Sequence, residues 1–272
     1  MSLSDKTLFI TGASRGIGRE IALKAAADGA NIVIAAKSAE PHPKLEGTIF
    51  SVAAEVEAAG GKALALRLDV RDEQAVAAAL AQAAEHFGGI DALVNNAGAI
   101  KLVGVEKLEP KRFDLMYQIN TRAVMVCSQA ALPYLKQSKG HILSLSPPLN
   151  LDPKWFANYG PYTTTKYGMS MLTLGMHEEF KKYGISVNSL WPKTMIATAA
   201  IEFELSSRDA FKRARTPAIM ADAAHAILSS EGRSLTGRLL IDEEILREQG
   251  QNDFEQYRYD PAGKLMTDLF ID

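Results

Sequence analysis

A tyrosine and a lysine four residues apart, Tyr162 and Lys166, lie in a long segment with a helical pattern of apolar residues. Residues i and i+4 share one face of a helix, so the two side chains are expected to be neighbours. A lysine cation beside a phenol favours the phenolate and lowers the tyrosine pKa from about 10 toward neutral pH. Tyr162 is therefore a candidate proton donor and acceptor for interconverting a carbonyl and an alcohol. By itself, such a pair is more often an ordinary helix surface.

A glycine-rich turn, Thr11-Gly-Ala-Ser-Arg-Gly-Ile-Gly18, separates the first apolar run from the first helical segment. Gly12 permits a tight turn, Gly16 lets the backbone approach a pyrophosphate, and Gly18 lets helix and strand pack closely. The amides at the helix start would then face the phosphates. A purely structural turn is the alternative. The residues predicted to bind a dinucleotide here are Gly12, Ser14, Arg15, Gly16, Ile17 and Gly18.

The second apolar run decides which dinucleotide is expected. An NAD site would place a carboxylate at its end for the ribose 2′-hydroxyl. This chain has Lys37 there, and Arg15 stands in the glycine turn. Two cations at that position favour a 2′-phosphate, so the predicted cofactor is NADP(H). The alternative is that both are ordinary solvated cations.

Short apolar runs alternate with segments of helical period, which predicts a parallel, doubly wound α/β sheet with helices on both faces. The predicted strands span 7–11, 31–36, 62–69, 92–95, 141–146, 185–191 and 238–241. The predicted helices span 17–28, 48–59, 73–87, 111–136, 162–183 and 218–230. We expect one domain over residues 1–272, with a substrate loop at about 192–217. The extension at about 242–272 is expected to pack on the body or on a partner subunit without contributing chemistry.

Composition excludes several classes of protein. The 272 residues are 47% hydrophobic, so a disordered chain is excluded. The net charge of −2 gives no sign of the excess of basic residues that nucleic-acid-binding proteins carry. The single cysteine, Cys127, excludes an internal disulfide, and the five histidines lack ligand spacing, so no metal is expected. No apolar stretch approaches the ~18 residues of a membrane span. A cytoplasmic location is expected.

With Asp69-Val70, Asn95-Asn96-Ala97-Gly98 and Asn120, these motifs resemble the short-chain dehydrogenase/reductase family over about residues 5 to 241. The resemblance implies a Rossmann-type sheet of seven strands in the order 3-2-1-4-5-6-7. It implies that Asp69 and Val70 contact the adenine, and that Asn96, Ala97 and Gly98 lie beside the cofactor. It also implies that Lys166 holds the nicotinamide ribose. A homodimer or homotetramer is expected.

Two positions expected to act during catalysis have alternative interpretations. Asn120 fits the family's proton-relay asparagine, and a satisfied buried amide is the alternative reading. The family serine that hydrogen-bonds the reacting oxygen falls on Pro147, which has no donor. Ser146 is the replacement candidate. Since adjacent strand residues face opposite sides, it reaches the site only if the strand bends.

A further departure follows the sixth strand, where Pro192-Lys193 replaces the family's Pro-Gly. Pro192 and Thr194 are predicted to contact the cofactor, with Thr198 a further candidate. We expect the Lys193 side chain to point to water.

Apolar residues of the substrate loop and of the stretch 152–159 are expected to form a hydrophobic pocket. They include Trp155, Phe156, Tyr159, Met195, Ile196, Ile201, Phe203 and Leu205. The predicted function is an NADP(H)-dependent oxidoreductase that moves a hydride between nicotinamide and an apolar carbonyl or secondary alcohol. The alternative is a non-catalytic nucleotide- or lipid-binding protein on the same fold.

Other segments resemble a narrower group within the family, whose animal members add a sterol-carrier domain and a peroxisomal signal. This chain is expected to be the stand-alone dehydrogenase module. The segments that carry the narrower resemblance are 35–37, 41–45, 146–151, 191–194 and 241–243.

Overall fold

The computed structural model describes residues 2–43, 45–205, 208–231 and 234–272. Ser206 and Ser207 of the predicted substrate loop lie outside the described residues, as does Lys44 within segment 41–45.

The described residues form a parallel seven-stranded sheet in the order β3-β2-β1-β4-β5-β6-β7, which confirms the predicted fold. Most strands are buried on both faces, which explains their nearly continuous apolar sequences. The edge strand β3 is partly exposed. The strands are β1 (Thr7–Thr11), β2 (Asn31–Ala36), β3 (Lys62–Arg67), β4 (Ala92–Asn95), β5 (His141–Ser144), β6 (Ser186–Trp191) and β7 (Leu239–Ile241).

Helices cover both faces of this sheet. Helices α1 (Gly16–Ala27), α2 (Ile49–Ala58) and α9 (Ala218–Leu228) bury their apolar residues on one face. Helices α3 (Glu73–Phe87), α5 (Ala123–Ser138) and α7 (Gly160–Phe180) bury theirs on the other. The remaining helices are α4 (Pro110–Tyr117), α6 (Lys154–Ala157), α8 (Ala199–Leu205) and α10 (Asp242–Glu248).

Local signals fix several helix ends. The Thr48 hydroxyl accepts the Ser51 amide at 3.0 Å, and the Ser51 hydroxyl accepts the Thr48 amide at 2.8 Å, so α2 begins in a capping box. The long helix expected at 111–136 is instead divided by a π-helical turn, Gln118–Arg122. This turn contains Asn120 and connects α4 to α5. Single π-helical turns inside helices are frequent at functional sites.

The C-terminal segment, residues 249–272, packs on the body of its own chain. After α10, Phe254 and Tyr257 join the core on the α1 side of the sheet. The chain then returns to the carboxyl ends of the strands, where Phe270 is 1% exposed. The Phe270 ring contacts the rings of Tyr162 and Trp191, with centroids 6.4 and 5.8 Å away.

Candidate active site

A cavity of about 720 Å³ follows the carboxyl ends of the strands, where open parallel sheets bind their ligands. The sequence-predicted residues that line it are Gly12, Ser14, Arg15, Gly16, Ile17, Lys37, Asp69, Val70, Asn96, Ala97, Gly98, Tyr162, Lys166 and Pro192. We call the part around Gly12, Arg15, Gly16 and Lys37 the glycine-turn end. The part around Tyr162, Lys166, Trp191 and Asp268 is the tyrosine end.

The glycine turn is a close fit to its surroundings. Gly12 and Gly16 have φ angles of 69° and 57°, a region that favours glycine. A Cβ at Gly12 would lie 2.9 Å from the Ala97 Cα atom, and one at Gly16 would lie 3.6 Å from the Thr198 methyl. Arg15 precedes α1 without capping it by a side-chain hydrogen bond. The first-turn amides are thus left for an anion, as a pyrophosphate requires.

Two predicted residues near this turn, Gly18 and Asn96, hold the turn against the neighbouring strand. Gly18 does not line the cavity, because it packs directly against the Asn96 amide group. The Asn96 Nδ2 atom donates to the carbonyls of Thr11 and Gly12 at 2.8 and 3.1 Å. The Thr11 hydroxyl in turn accepts the Asn96 and Ala97 amides, each at 3.0 Å. The end of β4 is therefore tied to the glycine turn.

Two cations lie at the end of β2, as predicted. The Arg15 guanidinium donates to the Ser38 hydroxyl at 3.1 Å and to the Gly47 carbonyl at 2.8 Å. The Lys37 Nζ atom lies 3.3 Å from Asp69 Oδ2, with its side chain 63% exposed. Hydrogen bonds from Arg71 hold the pKa of Asp69 well below its usual range. Because Arg71 offsets the Asp69 charge, this region keeps an excess of positive charge.

Tyr162 and Lys166 lie on one face of α7 and are 4% and 7% exposed. The Lys166 ammonium donates to the Leu145 carbonyl at 2.9 Å and lies 5.2 Å from the Trp191 ring centroid. Burial lowers the pKa of Lys166 to about 8.

The expectation that Lys166 lowers the pKa of Tyr162 is wrong. Burial raises the pKa of Tyr162, and the negative charges of Asp268 and Glu204 raise it further. The ammonium of Lys166 is directed to a backbone carbonyl instead, as its bond to Leu145 shows. Tyr162 is therefore held as a neutral phenol, the form that can give a proton.

Asn120 is fully buried and does not line the cavity. Its Oδ1 atom accepts the Ala99 amide at 2.8 Å, and its Nδ2 atom donates to the Ala99 carbonyl and the Thr165 hydroxyl, each at 2.9 Å. The side chain is thus the satisfied amide, and it holds the segment after Gly98 in place. The predicted relay role finds no support in these side-chain contacts.

The replacement of the family serine by Ser146 is wrong for this structure. Strand β5 ends at Ser144. Leu145, whose carbonyl accepts a hydrogen bond from Lys166, lines the cavity, and Ser146 does not. Its hydroxyl is buried and has no hydrogen-bond partner among the described residues. The end of β5 therefore supplies no hydroxyl to the cavity.

Two expectations after β6 also need correction. Thr194 does not line the cavity, because its backbone forms an antiparallel bridge with Thr267, and Thr198 lines it instead. The Lys193 ammonium does not simply point to water, since it lies 3.1 Å from the buried Glu243 carboxylate. Arg215 contacts the same carboxylate at 2.7 Å. These ion pairs fasten the start of the loop to α10.

The predicted hydrophobic pocket is formed only in part. Met195, Ile196, Ile201 and Phe203 line the cavity. Trp155, Phe156 and Tyr159 do not, because their side chains pack against the aromatic cluster around Phe270. The side chain of Leu205 lies outside the described residues.

The C-terminal segment supplies cavity residues that the sequence analysis missed. It places Met266, Thr267, Asp268 and Leu269 along the tyrosine end. Burial raises the pKa of Asp268 to about 7, although the Leu269 amide and Lys166 oppose this shift. The apolar residues 265, 269 and 270 indicated docking, but no spacing singled out Asp268.

Comparison with known proteins agrees with this geometry. The family model for short chain dehydrogenases matches residues 6–207. The chain belongs to the short-chain dehydrogenase family. Hydroxysteroid dehydrogenase-like protein 2 of Xenopus tropicalis is 56% identical over 271 residues, which are 99% of this chain and 64% of that protein. The chain therefore spans less than two thirds of that relative's length, and the narrower resemblance is confirmed.

Solved structures of this family superpose on most of the chain. A dehydrogenase from Xanthomonas campestris is 53% identical with a TM-score of 0.96, and each chain covers 100% of the other. A short-chain dehydrogenase from Burkholderia cenocepacia, solved in complex with NADP, is 31% identical with a TM-score of 0.76. That alignment covers 89% of this chain and 97% of the other.

Proposed function

We propose that the protein is an NADP(H)-dependent oxidoreductase that interconverts an apolar carbonyl compound and its secondary alcohol. The observation that carries the proposal is the continuity of the cavity. It joins a glycine turn with uncapped amides to Tyr162 and Lys166, and then to the apolar side chains of the loop after β6. A dinucleotide and a small apolar molecule could meet in this space, within the size range of ligand pockets.

The charges at the glycine-turn end support NADP(H) over NAD(H). Arg15 and Lys37 line the cavity at the end of β2, where a 2′-phosphate would lie. The nearby carboxylate of Asp69 is bound by Arg71 at 2.5 Å, so it is not free to accept a ribose hydroxyl. The family member from B. cenocepacia that was solved with NADP adds support. Val70 and Ser14 would contact the same half of the nucleotide.

When bound, the cofactor supplies or accepts a hydride. Tyr162, kept protonated by its burial, gives its proton to the carbonyl oxygen during reduction. Lys166 lies on the same helical face and would hold the ribose hydroxyls, and Asn120 keeps the backbone at Ala99 and Gly98 in position. The side chains of Trp191 and Met195 help exclude water from this end.

The apolar lining beyond Tyr162 supports a lipid-, steroid- or acyl-like substrate. Met195, Ile196, Ile201 and Phe203 offer no formal charge to a ligand, and Glu204 is engaged by Lys101 at 3.2 Å. The class of substrate is therefore proposed as neutral and hydrophobic.

The assembly and location are proposals of the same kind. We propose a homodimer or homotetramer, supported by the exposed apolar side chains of α4, α5 and α7, namely Tyr117, Met125, Met171 and Leu174. None of the helices in the described ranges could cross a membrane. A cytoplasmic location stays a prediction.

One observation favours the alternative of a non-catalytic nucleotide- or lipid-binding protein. Pro147 stands where the family serine is expected, and the Ser146 hydroxyl does not replace it. A binding protein would keep the cavity without needing a second hydrogen-bond donor at the reacting oxygen.

The test is NADPH consumption by the purified protein with apolar ketones, aldehydes and acyl thioesters, alongside a binding titration with NADPH. Tight binding with turnover would support the proposal. Tight binding without turnover across all three classes would favour the binding protein. If neither NADPH nor NADH binds, the function assigned to the glycine turn is wrong.

A further inference from the structure

Without the family serine at the end of β5, the tyrosine end lacks the second hydrogen-bond donor that this serine would give to the reacting oxygen. A reacting carbonyl oxygen there would receive one hydrogen bond from Tyr162. Just after β5, Leu145 meets Lys166 through its backbone carbonyl, which only accepts hydrogen bonds, and Ser146 does not line the cavity. A second donor would have to come from another part of the chain.

The C-terminal segment brings one carboxyl to this place and holds it firmly. The Asp268 amide donates to the Lys193 carbonyl at 3.0 Å, and the preceding Thr267 is bridged to Thr194. The indole of Trp191 donates to the Leu269 carbonyl at 3.0 Å. Both neighbours of Asp268 in sequence are therefore fixed to the chain around β6.

Asp268 lines the cavity together with Tyr162 and Lys166. Its Oδ1 atom accepts the Leu269 amide at 2.7 Å, which leaves Oδ2 as the atom that can hold a proton. In its ionised form Asp268 raises the pKa of both Tyr162 and Lys166, so the three groups are electrostatic neighbours.

We propose that the Asp268 carboxyl, in its protonated form, donates the second hydrogen bond to the reacting oxygen of the substrate, beside that of Tyr162. The proposal rests on the proposed function. Asp268 keeps its proton throughout, so the proton that the oxygen gains in reduction is the one from Tyr162.

The charges around Asp268 are consistent with a protonated form near neutral pH. Burial raises its pKa to about 7, and the nearby Asp242 raises it as well. Lys166 on α7 is the opposing cation. Tyr162 on the same helix and Tyr159 just before it are neutral, since burial raises the pKa of both. Lys193 presents its backbone to Asp268, while its ammonium pairs with Glu243. The donor form is then present below about pH 7 and is lost above it.

Two variants separate a donor from a charge. Asp268→Asn keeps a hydrogen-bond donor that does not titrate, and Asp268→Ala removes it. Asp272→Asn is the matched control, because Asp272 is an exposed carboxylate of the same segment that pairs with Lys154. The probe is trans-1-decalone, an apolar bicyclic ketone, titrated calorimetrically into the complex of protein and NADP⁺, in which no reduction can occur.

We expect the wild type and Asp272→Asn to bind decalone about tenfold more weakly at pH 9 than at pH 6, the worth of one hydrogen bond. Asp268→Asn should lose much less affinity than wild type between the two pH values, since only Lys166, with a pKa of about 8, still titrates at this end. Asp268→Ala should bind decalone weakly at both. In decalone reduction at pH 6, Asp268→Ala should lose about 10²-fold in kcat, and Asp268→Asn far less.

A second measurement needs no substrate. A carboxyl whose folded pKa exceeds its unfolded value of about 4 stabilises the fold below that value and loses this contribution as pH rises through 7. Asp268→Asn should therefore gain melting temperature relative to wild type at pH 8 but not at pH 4. An equal difference at both pH values would contradict a protonated Asp268.

The two failures can be told apart. Decalone binding that is the same in wild type and Asp268→Ala would overturn the role of Asp268 while leaving the proposed function intact. If the wild type binds neither NADP⁺ nor decalone, the proposed function fails, and the role of Asp268 fails with it.

Discussion

The glycine-turn end and the tyrosine end of the cavity differ in the kind of group that faces a ligand. The first offers backbone amides and the cations Arg15 and Lys37, close to solvent. The second offers the buried Tyr162 and Lys166 and the half-buried Asp268. Charges near solvent act by attracting phosphates, whereas buried groups act through the proton that each one holds.

The two ends also differ in how the chain builds them. The glycine-turn end lies at strand–helix junctions close together in sequence, β1 to α1 and β2 to the following loop. The tyrosine end combines α7, the end of β6 and a segment that follows at 266–269. We therefore expect substitutions at the first end to change cofactor choice, and those at the second to change catalysis or stability.

The largest effect on activity is expected at the tyrosine end. Tyr162→Phe removes the proton donor while keeping the ring that contacts Phe270. We expect kcat for reduction of an apolar ketone to fall about 10²- to 10⁴-fold, with NADPH affinity nearly unchanged. Steady-state kinetics and a binding titration measure the two quantities.

Tyr159→Phe is the matched control for that change. Tyr159 lies one helical turn before Tyr162, is half-buried, and does not line the cavity. It should keep wild-type kcat. Full activity in Tyr162→Phe would contradict the proposed proton donor.

The largest effect on stability is expected beside the same end, at Glu243. Its carboxylate meets Arg215, Lys193 and Arg247 at 2.7, 3.1 and 2.9 Å. Glu243→Gln would leave the buried Arg215 without its counter-charge. We expect a loss of about 3 kcal/mol in the free energy of unfolding, measured by denaturant titration at pH 7. The exposed neighbour Glu244 gives the control, and Glu244→Gln should change it by less than about 0.5 kcal/mol.

The same carboxylate predicts a pH dependence. Burial would raise the pKa of Glu243, but hydrogen bonds from Arg247, Arg215 and Lys193 outweigh it and lower the pKa to about 2. The stability that Glu243 contributes is therefore present above its unfolded value of about 4.3 and is lost as pH falls toward 2. The deficit of Glu243→Gln should shrink over that window, and a deficit that does not change between pH 7 and pH 3 would refute the ion-pair account.

At the glycine-turn end we expect an effect on cofactor choice. Arg15→Ala and Lys37→Ala each remove a cation from the expected 2′-phosphate position. A charge-assisted hydrogen bond is worth about 1.5–3 kcal/mol, so NADPH should bind about 10- to 100-fold more weakly. NADH should be nearly unaffected. Lys62→Ala, at the exposed opposite end of β3, is the control and should bind both cofactors as wild type does. Equal losses for the two cofactors would argue against a phosphate contact.

The smallest effect is expected at Ser146. Its hydroxyl is buried, lacks a partner among the described residues and does not line the cavity. Ser146→Ala should leave kcat within about twofold and should leave the free energy of unfolding unchanged or raised by about 1 kcal/mol. A large loss of kcat would mean that the hydroxyl reaches the substrate after all.

Cavity residues that come directly after a strand could be predicted from the sequence. Lys37, Asp69 and the glycine turn apart from Gly18 line the cavity, and each of them follows directly from one strand and its next turn. Their role in binding a cofactor stays a prediction. The seven strands could be predicted because nearly continuous apolar runs are typical of strands in a parallel sheet covered on both faces. At these positions local pattern and global fold agree.

The errors concern residues whose direction depends on contacts distant in sequence. Ser146 was chosen by its neighbour Pro147, but which side chain faces the cavity depends on how β5 ends. The ion pair of Lys193 could not be predicted because its partner, Glu243, lies 50 residues further along the chain. Asp268 is placed by the return of the C-terminal segment onto Trp191 and Tyr162, which no periodicity in the sequence describes.

The most direct measurement is a titration of the purified protein with NADPH and with NADH, followed by tryptophan fluorescence, to which Trp191 at the cavity wall contributes, and checked by calorimetry. We predict saturable binding of both, with NADPH at least about tenfold tighter because of the cations at the glycine-turn end. Equal affinity for the two, a preference for NADH, or no binding of either would contradict the assignment of this cavity to NADP(H).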